Sequence, residues 1–207
     1  MPTYTYDNFS RHKPVWDEHI YQSIKWFNDI KLGCNYLDIG AGEGAATLWL
    51  LDNLSKNLYT RVYSCDNWFQ KETEKIFNKN IAENENSHKV VKCKGNIHYS
   101  LKELAVTMQT GTVEKFEFIN VNCSTISNEA APIILNAYSL LKENCYMVIN
   151  NIDTKHKIST LGGASIHYQD VVAFFLRLMA GRIEVVYGNK PDHKQLIFKK
   201  IALHNLY

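Results

Sequence analysis

Apolar positions along the chain fall into two kinds of run. Short β-type runs occupy residues 35–40, 61–66, 89–93, 116–121 and 146–149, with two more at 182–187 and 195–199. In the gaps, apolar residues recur at helical spacing over 45–54, 67–84, 100–108, 128–141 and 168–179. Seven strands are predicted. Alternating strand and helix imply a parallel sheet covered on both faces, with right-handed crossovers. The last two runs break that rhythm, because only the seven residues 188–194 separate them. That is too short for a crossover helix, so this pair must be antiparallel. Ahead of the first strand, residues 14–30 carry Val15, Trp16, Ile20, Ile24, Trp26 and Phe27 at amphipathic spacing. A single domain over 1–207 is expected, with 1–33 as a helical N-terminal extension or cap.

Composition narrows the classes. At 207 residues, 45% hydrophobic and 21% charged, the chain has ample material for one α/β core. Disordered, collagen-like and disulfide-scaffold classes are excluded. A net charge of +2 gives no electrostatic grip on nucleic acid or a membrane surface. No apolar run reaches the roughly 18–20 residues a bilayer span needs. The opening MPTYTYDNFSRHKP lacks an apolar leader core. Five cysteines, Cys34, Cys65, Cys93, Cys123 and Cys145, stand 22 to 31 residues apart, without the close pairs of a zinc site. Buried free thiols in a reducing cytoplasm are expected. Twenty residues are asparagine. Either that excess is drift in an AT-rich coding sequence, or amides occupy positions where chemistry usually wants acids.

The richest motif is Asp38-Ile39-Gly40-Ala41-Gly42-Glu43-Gly44, which follows the first strand and opens a helix. Glycines there let a ligand approach the backbone, and helix N-terminal amides favour anionic or polar groups. The second strand ends in Asp66, the usual place of a ribose-binding carboxylate in doubly wound sheets. Its plainer reading is a solvated strand-end residue. A dehydrogenase fingerprint, G-x-G-x-x-G, is not met by Gly40-Ala41-Gly42-Glu43-Gly44-Ala45.

On these residues the chain resembles the class I S-adenosylmethionine-dependent methyltransferases. The match includes Arg61-Val62-Tyr63-Ser64-Cys65-Asp66-Asn67-Trp68, Gly95-Asn96 after the third strand, and Leu140-Leu141-Lys142-Glu143-Asn144 before the fifth. Within that superfamily it is most similar to the family 24-like small-molecule and sugar O-methyltransferases, whose motif after strand two reads D-x-W. The resemblance implies an α/β, Rossmann-like, seven-stranded and mostly parallel sheet with an antiparallel last strand and helices on both faces. It implies S-adenosylmethionine as cofactor and S-adenosylhomocysteine as product. Asp38, Gly40, Gly42 and Gly44 would cradle the methionine moiety and Asp66 would hold the ribose, with Glu43 and Asn67 also expected to bind the cofactor. Asn96 would stand at the adenine, and Asn122 beside the cofactor. Trp68 would either pack on the adenine or be an ordinary core residue.

The resemblance also marks a departure. Metal-dependent relatives carry acids at the ends of strands four and five, where this chain has Asn122 and Asn150-Asn151, and Thr125 aligns with a frequent histidine. A hard cation wants carboxylates, so no metal is expected. Methyl transfer would then rest on positioning and a protein base. Asp153 and His156, just past strand five, are the candidate bases, with His167 further along; each could equally be a solvated loop residue. Gly162-Gly163 suggests a lid or a turn. The expected acceptor is a small molecule, a sugar or nucleotide-sugar hydroxyl, with an amine left open. The alternative is a catalytically degenerate member that binds cofactor or a protein partner without turnover. A nucleic-acid methyltransferase is disfavoured by the thin basic stretches at Lys89–Lys94 and Lys199-Lys200. The aromatic N-terminal segment would cap the substrate or support a homodimer.

Overall fold

The computed structural model describes residues 33–55, 57–122, 130–152, 157–159, 165–187 and 195–202. In chain order the strands are β1 (Asn35–Ile39), β2 (Arg61–Asp66), β3 (Val90–Lys94), β4 (Phe116–Val121), β5 (Leu141–Asn150), β6 (Lys157–Ser159), β7 (Ser165–His167), β8 (Ile183–Tyr187) and β9 (Gln195–Lys200). The helices are α1 (Ala45–Leu54), α2 (Lys71–Ala82), α3 (Ile97–Gln109), α4 (Ala130–Leu140) and α5 (Tyr168–Leu178). Seven strands form one sheet in the order β3–β2–β1–β4–β5–β9–β8. Strands β1 to β5 pair in parallel, and β9 lies antiparallel between β5 and β8. The expected fold class is the one observed.

Strand order reverses between β1 and β4, so a crevice opens outside their carboxyl ends, where open α/β sheets bind ligands. Both faces of the sheet are covered. Leu37, Ile39, Ile119, Val121, Met147, Ile149 and Phe198 pack with α3, α4 and α5. Tyr36, Val62, Phe118, Val148 and Ile197 face the other way, in one cluster with α1 and with Phe77 and Ile81 of α2. Central strands sealed on both sides read as continuous apolar runs. All six residues of β4 are buried, among them the polar Glu117 and Asn120.

At the amino-terminal edge of the sheet Glu117 is satisfied twice. It accepts the Asn35 backbone amide at 2.7 Å and pairs with Lys142 at 2.5 Å. Lys142 also reaches Glu114 at 2.8 Å.

Three expectations need correction. The antiparallel pair β6–β7 adds two strands in the segment read as a lid or turn. Each holds three residues and a single isoleucine, too short to carry an alternating pattern. Strand β5 begins at Leu141, five residues before the predicted run, because Leu141 pairs with Phe116 ahead of a register shift. Of the thiols, Cys34, Cys65 and Cys145 are buried, but Cys93 is half-exposed, since β3 is an edge strand. Cys123 and residues 1–32 lie outside the described residues.

Candidate active site

The chain leaves β1 into the glycine turn, which is tied down along its whole length. The amides of Gly40 and Ala41 both donate to the Cys65 carbonyl of β2, at 2.8 and 3.3 Å. The Gly42 amide donates to Asp66 Oδ2 at 2.8 Å, and the Gly42 carbonyl accepts Trp68 Nε1 at 2.8 Å. The Glu43 carbonyl accepts Asn80 Nδ2 from α2 at 3.0 Å. Gly44 then starts α1 as its N-cap residue. Two glycines are demanded by geometry. Gly40 has φ +76°, and a Cβ there would run into the Asn122 backbone carbonyl. Gly42 has φ +53°, and the place where a Cβ would stand is open space.

Asp66 ends β2 half-buried, with Oδ1 accepting the Trp68 amide at 2.8 Å and Oδ2 the Gly42 amide. Trp68 is buried beside the turn. It is 4% exposed, and its ring centroid lies 4.8 Å from that of Phe77. Lys92, paired with Glu74 at 2.7 Å, stands over the Trp68 ring at 4.6 Å. The aromatic ring left open beside the site is Phe69, 87% exposed, whose amide donates to Asn67 Oδ1 at 3.2 Å. Asn96 is the N-cap of α3, its Oδ1 accepting the amides of His98 and Tyr99 at 2.9 and 3.3 Å.

Asp38 is fully buried rather than lining the crevice. Its carboxylate accepts Thr47 Oγ1 at 2.7 Å and Asn120 Nδ2 at 2.9 Å, and Thr47 Oγ1 lies 2.8 Å from Ser64 Oγ. Asp38 thus staples β1 to α1 across the turn. The amides continue outward: Asn150 Nδ2 donates to Asn120 Oδ1 at 2.7 Å and to the Val121 carbonyl at 3.0 Å. Gln195 Nε2 donates to Asn150 Oδ1 at 2.7 Å. Asn122 stands apart from that chain, its Oδ1 accepting Asn151 Nδ2 at 2.5 Å.

Burial pushes the Asp38 carboxyl up to about 6, against the hydrogen bonds from Asn120 and Thr47 and with a small push from nearby Asp66. The folded value lies above the ordinary 3.8, so the folded chain holds this proton more tightly than the unfolded chain. Its stabilisation is complete below the ordinary value and is lost as pH rises through about 6. The difference is on the order of 2–3 kcal/mol. Urea unfolding of the wild type and of Asp38→Asn, followed from pH 4 to 7, checks this. Across that interval the wild type should lose about that much more stability than the variant, and parallel profiles would contradict it.

Of the residues expected to bind cofactor, the structure brings Gly40, Gly42, Glu43, Gly44, Asp66, Asn67 and Trp68 together at the ends of β1 and β2. Asn96 lies at the end of β3, and Asn122 at the end of β4. The candidate bases Asp153 and His156, with Thr125 and Gly162-Gly163, lie outside the described residues. His167 closes β7, its backbone opposite Lys157. Sequence reasoning missed Thr47, Asn80, Asn120 and Gln195. Asn120 did carry a signal: a polar residue inside an unbroken buried run asks for a partner.

This arrangement of sheet, glycine turn and strand-end carboxylate defines a Rossmann-like methyltransferase fold. Residues 37–152 match the family model described as a methyltransferase domain, family 24, and the chain belongs to that family. No curated protein matches it in sequence. The structure is similar to an O-methyltransferase from Bacillus cereus in complex with S-adenosylhomocysteine: 18% identity, 95% of this chain and 87% of that one, TM-score 0.64. It is also similar to the O-methyltransferase TomG of Streptomyces achromogenes, involved in tomaymycin synthesis and solved with S-adenosylmethionine: 15% identity, 95% and 86% covered, TM-score 0.66. A precorrin-6y C5,15-methyltransferase from Geobacter metallireducens aligns at 13% identity, 93% and 91% covered, TM-score 0.53.

Proposed function

We propose that the protein is an S-adenosylmethionine-dependent methyltransferase acting on a hydroxyl of a small molecule, a sugar or nucleotide-sugar, without a metal ion. The observation that carries this reading is the pinned glycine turn with Asp66 beside it. Gly42 faces open space, and each Asp66 oxygen has spent one lone pair on a backbone amide, so acceptor capacity is left for ribose hydroxyls. These residues fit the cofactor. When bound, S-adenosylmethionine supplies an electrophilic methyl group on a sulfonium, and the displacement that follows depends chiefly on alignment. The turn offers close backbone approach, and Asn67 and Asn96 hold the flanking loops in shape. The hydroxyl proton goes to a base from the segment after β5, for which Asp153 and His156 are our candidates.

The corner of β4 and β5 does not fit a divalent cation. Such an ion needs carboxylate or carbonyl oxygens free to coordinate. Here the described strand ends carry the neutral amides Asn120, Asn122 and Asn150 in place of carboxylates, so no charge is supplied, and each side-chain oxygen already accepts one neighbouring amide N–H. We therefore route no step through a metal. The same reading takes 1–207 as one domain with 1–33 as cap, suited to a homodimer, in a reducing cytoplasm. Four free thiols among the described residues suit that setting.

Calorimetric titration with S-adenosylmethionine and S-adenosylhomocysteine, each with and without Mg²⁺, tests the proposal. Both should bind, with affinities that Mg²⁺ shifts by less than about tenfold. A larger gain with Mg²⁺ overturns metal independence, and no binding to either ligand overturns the whole reading.

A further inference from the structure

Five strands each contribute one polar side chain to a single row: Ser64 from β2, Asp38 from β1, Asn120 from β4, Asn150 from β5 and Gln195 from β9. Two residues away along each strand, on the same face, lie Val62, Tyr36, Phe118, Val148 and Ile197, all in the apolar core. Register sets the neighbours. Asp38 stands opposite both Ser64 and Asn120, and Asn150 opposite Gln195. Asn150 reaches Asn120 along the diagonal, since Asn120 is paired with Val148.

Hydrogen bonds in this row run one way. An ionised carboxylate only accepts, so Asp38 fixes the Asn120 amino group toward itself. The Asn120 oxygen must then accept from Asn150, and the Asn150 oxygen from Gln195. Reversing any one amide would set oxygen against oxygen. The inner members Ser64, Asp38 and Asn120 are buried, while Asn150 and Gln195 are half-buried toward the crevice.

We infer that Asn120 is a positioning residue of the methyl-transfer site. It joins the Asp38 staple under the glycine turn to the Asn150 amide at the end of β5, so the cofactor side and the acceptor side keep one alignment. This rests on the reading that the turn holds S-adenosylmethionine. A side chain that only accepted, in place of Asn120, would break the line at its centre.

The groups facing Asp38 are Thr47 from α1, Cys65 and Asp66 from β2, and Asn120 from β4. Substituting Asn120→Asp keeps the shape, removes the donor and sets two carboxyls side by side, a pair that takes up one proton readily. Affinity for S-adenosylhomocysteine is to be titrated calorimetrically at pH 8 and 5.5 in the wild type, in Asn120→Asp and in Asn150→Leu, which leaves the Asn120–Asp38 bond intact. Circular dichroism follows the fold. At pH 8 Asn120→Asp should bind at least about tenfold more weakly than the wild type, and at pH 5.5 within about threefold, as a shared proton restores the bridge. Asn150→Leu cuts the same line one bond further out and sets no carboxyls together, so it should show a smaller deficit that is the same at both pH values. The inference is overturned by wild-type-like binding of Asn120→Asp at pH 8, by an equal deficit at both pH values, or by unfolding of that variant at pH 8. It is also overturned if Asn150→Leu reproduces the deficit and its pH dependence. A wild type that binds at neither pH instead overturns the cofactor reading beneath it.

Discussion

In Gly40→Ala, affinity for S-adenosylhomocysteine is expected to fall by at least about a hundredfold, with a loss of about 2–4 kcal/mol in unfolding free energy. A left-handed backbone costs a non-glycine residue about 1–2 kcal/mol by itself. The larger part comes from the Asn122 carbonyl, into which the new Cβ would run. That obstacle cannot swing aside as a flexible side chain would. Asn122 is tied by its amide to the Ile39 carbonyl at 2.8 Å, and Gly40 by its own amide to Cys65 at 2.8 Å. Relief requires β1 and β4 to part where the strand order reverses, which displaces the whole turn. Calorimetric titration and urea unfolding read the two effects separately. Affinity within tenfold of the wild type would mean that the turn tolerates a side chain there.

The second large effect lies at the far edge of the sheet. Replacing Lys142 by methionine should cost about 3–5 kcal/mol at neutral pH, the usual result of breaking a buried pair from one side. The Glu117 side chain is 1% exposed, and without Lys142 it keeps the Asn35 amide but loses this cation. Burial works to lower the Lys142 ammonium's proton affinity, but Glu114 and Glu117 outweigh it and hold it above the ordinary value. The stabilisation is therefore complete at neutral pH and is lost only in strong alkali, above the ordinary 10.5. Equilibrium urea unfolding at pH 7 measures it, and the double variant Lys142→Met, Glu117→Gln should recover part of the loss. A single-variant cost under 1 kcal/mol would show that Glu117 does not depend on the Lys142 cation, contrary to the one-sided break expected here.

Strand and helix periodicity sufficed for the main sheet, because its central parallel strands, sealed on both faces, leave apolar runs that little else imitates. The antiparallel end followed from seven residues being too few for a crossover. What escaped was cooperative across distant segments. Glu117 and Asn120 sit inside a run that reads as plain core, and their partners Lys142, Asn35, Asp38 and Asn150 lie on other strands. The polar row is invisible along the chain, since each member lies on a different strand and gains meaning only through register. The motif singled out Asn122 at the end of strand four, but not Asn120. Asn122 bonds Asn151, whereas Asn120, two residues earlier and on the other side of the pleat from Val121, bonds Asn150. The roles of Asp66 and the glycines in the turn's architecture were legible because a short motif packs them into one βα connection. Trp68 was not resolved by its motif, and only the packing against Phe77 makes it a strap for the turn.

That strap, with the bonds from Cys65, Asp66 and Asn80, means the glycine turn is already rigid before any ligand arrives. Its conformational entropy is surrendered once, when the domain folds, and need not be surrendered again at each encounter. Substitutions along these ties, at Trp68 or Asn80 for example, therefore act first on preorganisation: they return freedom to the turn, and each binding event must then take it back.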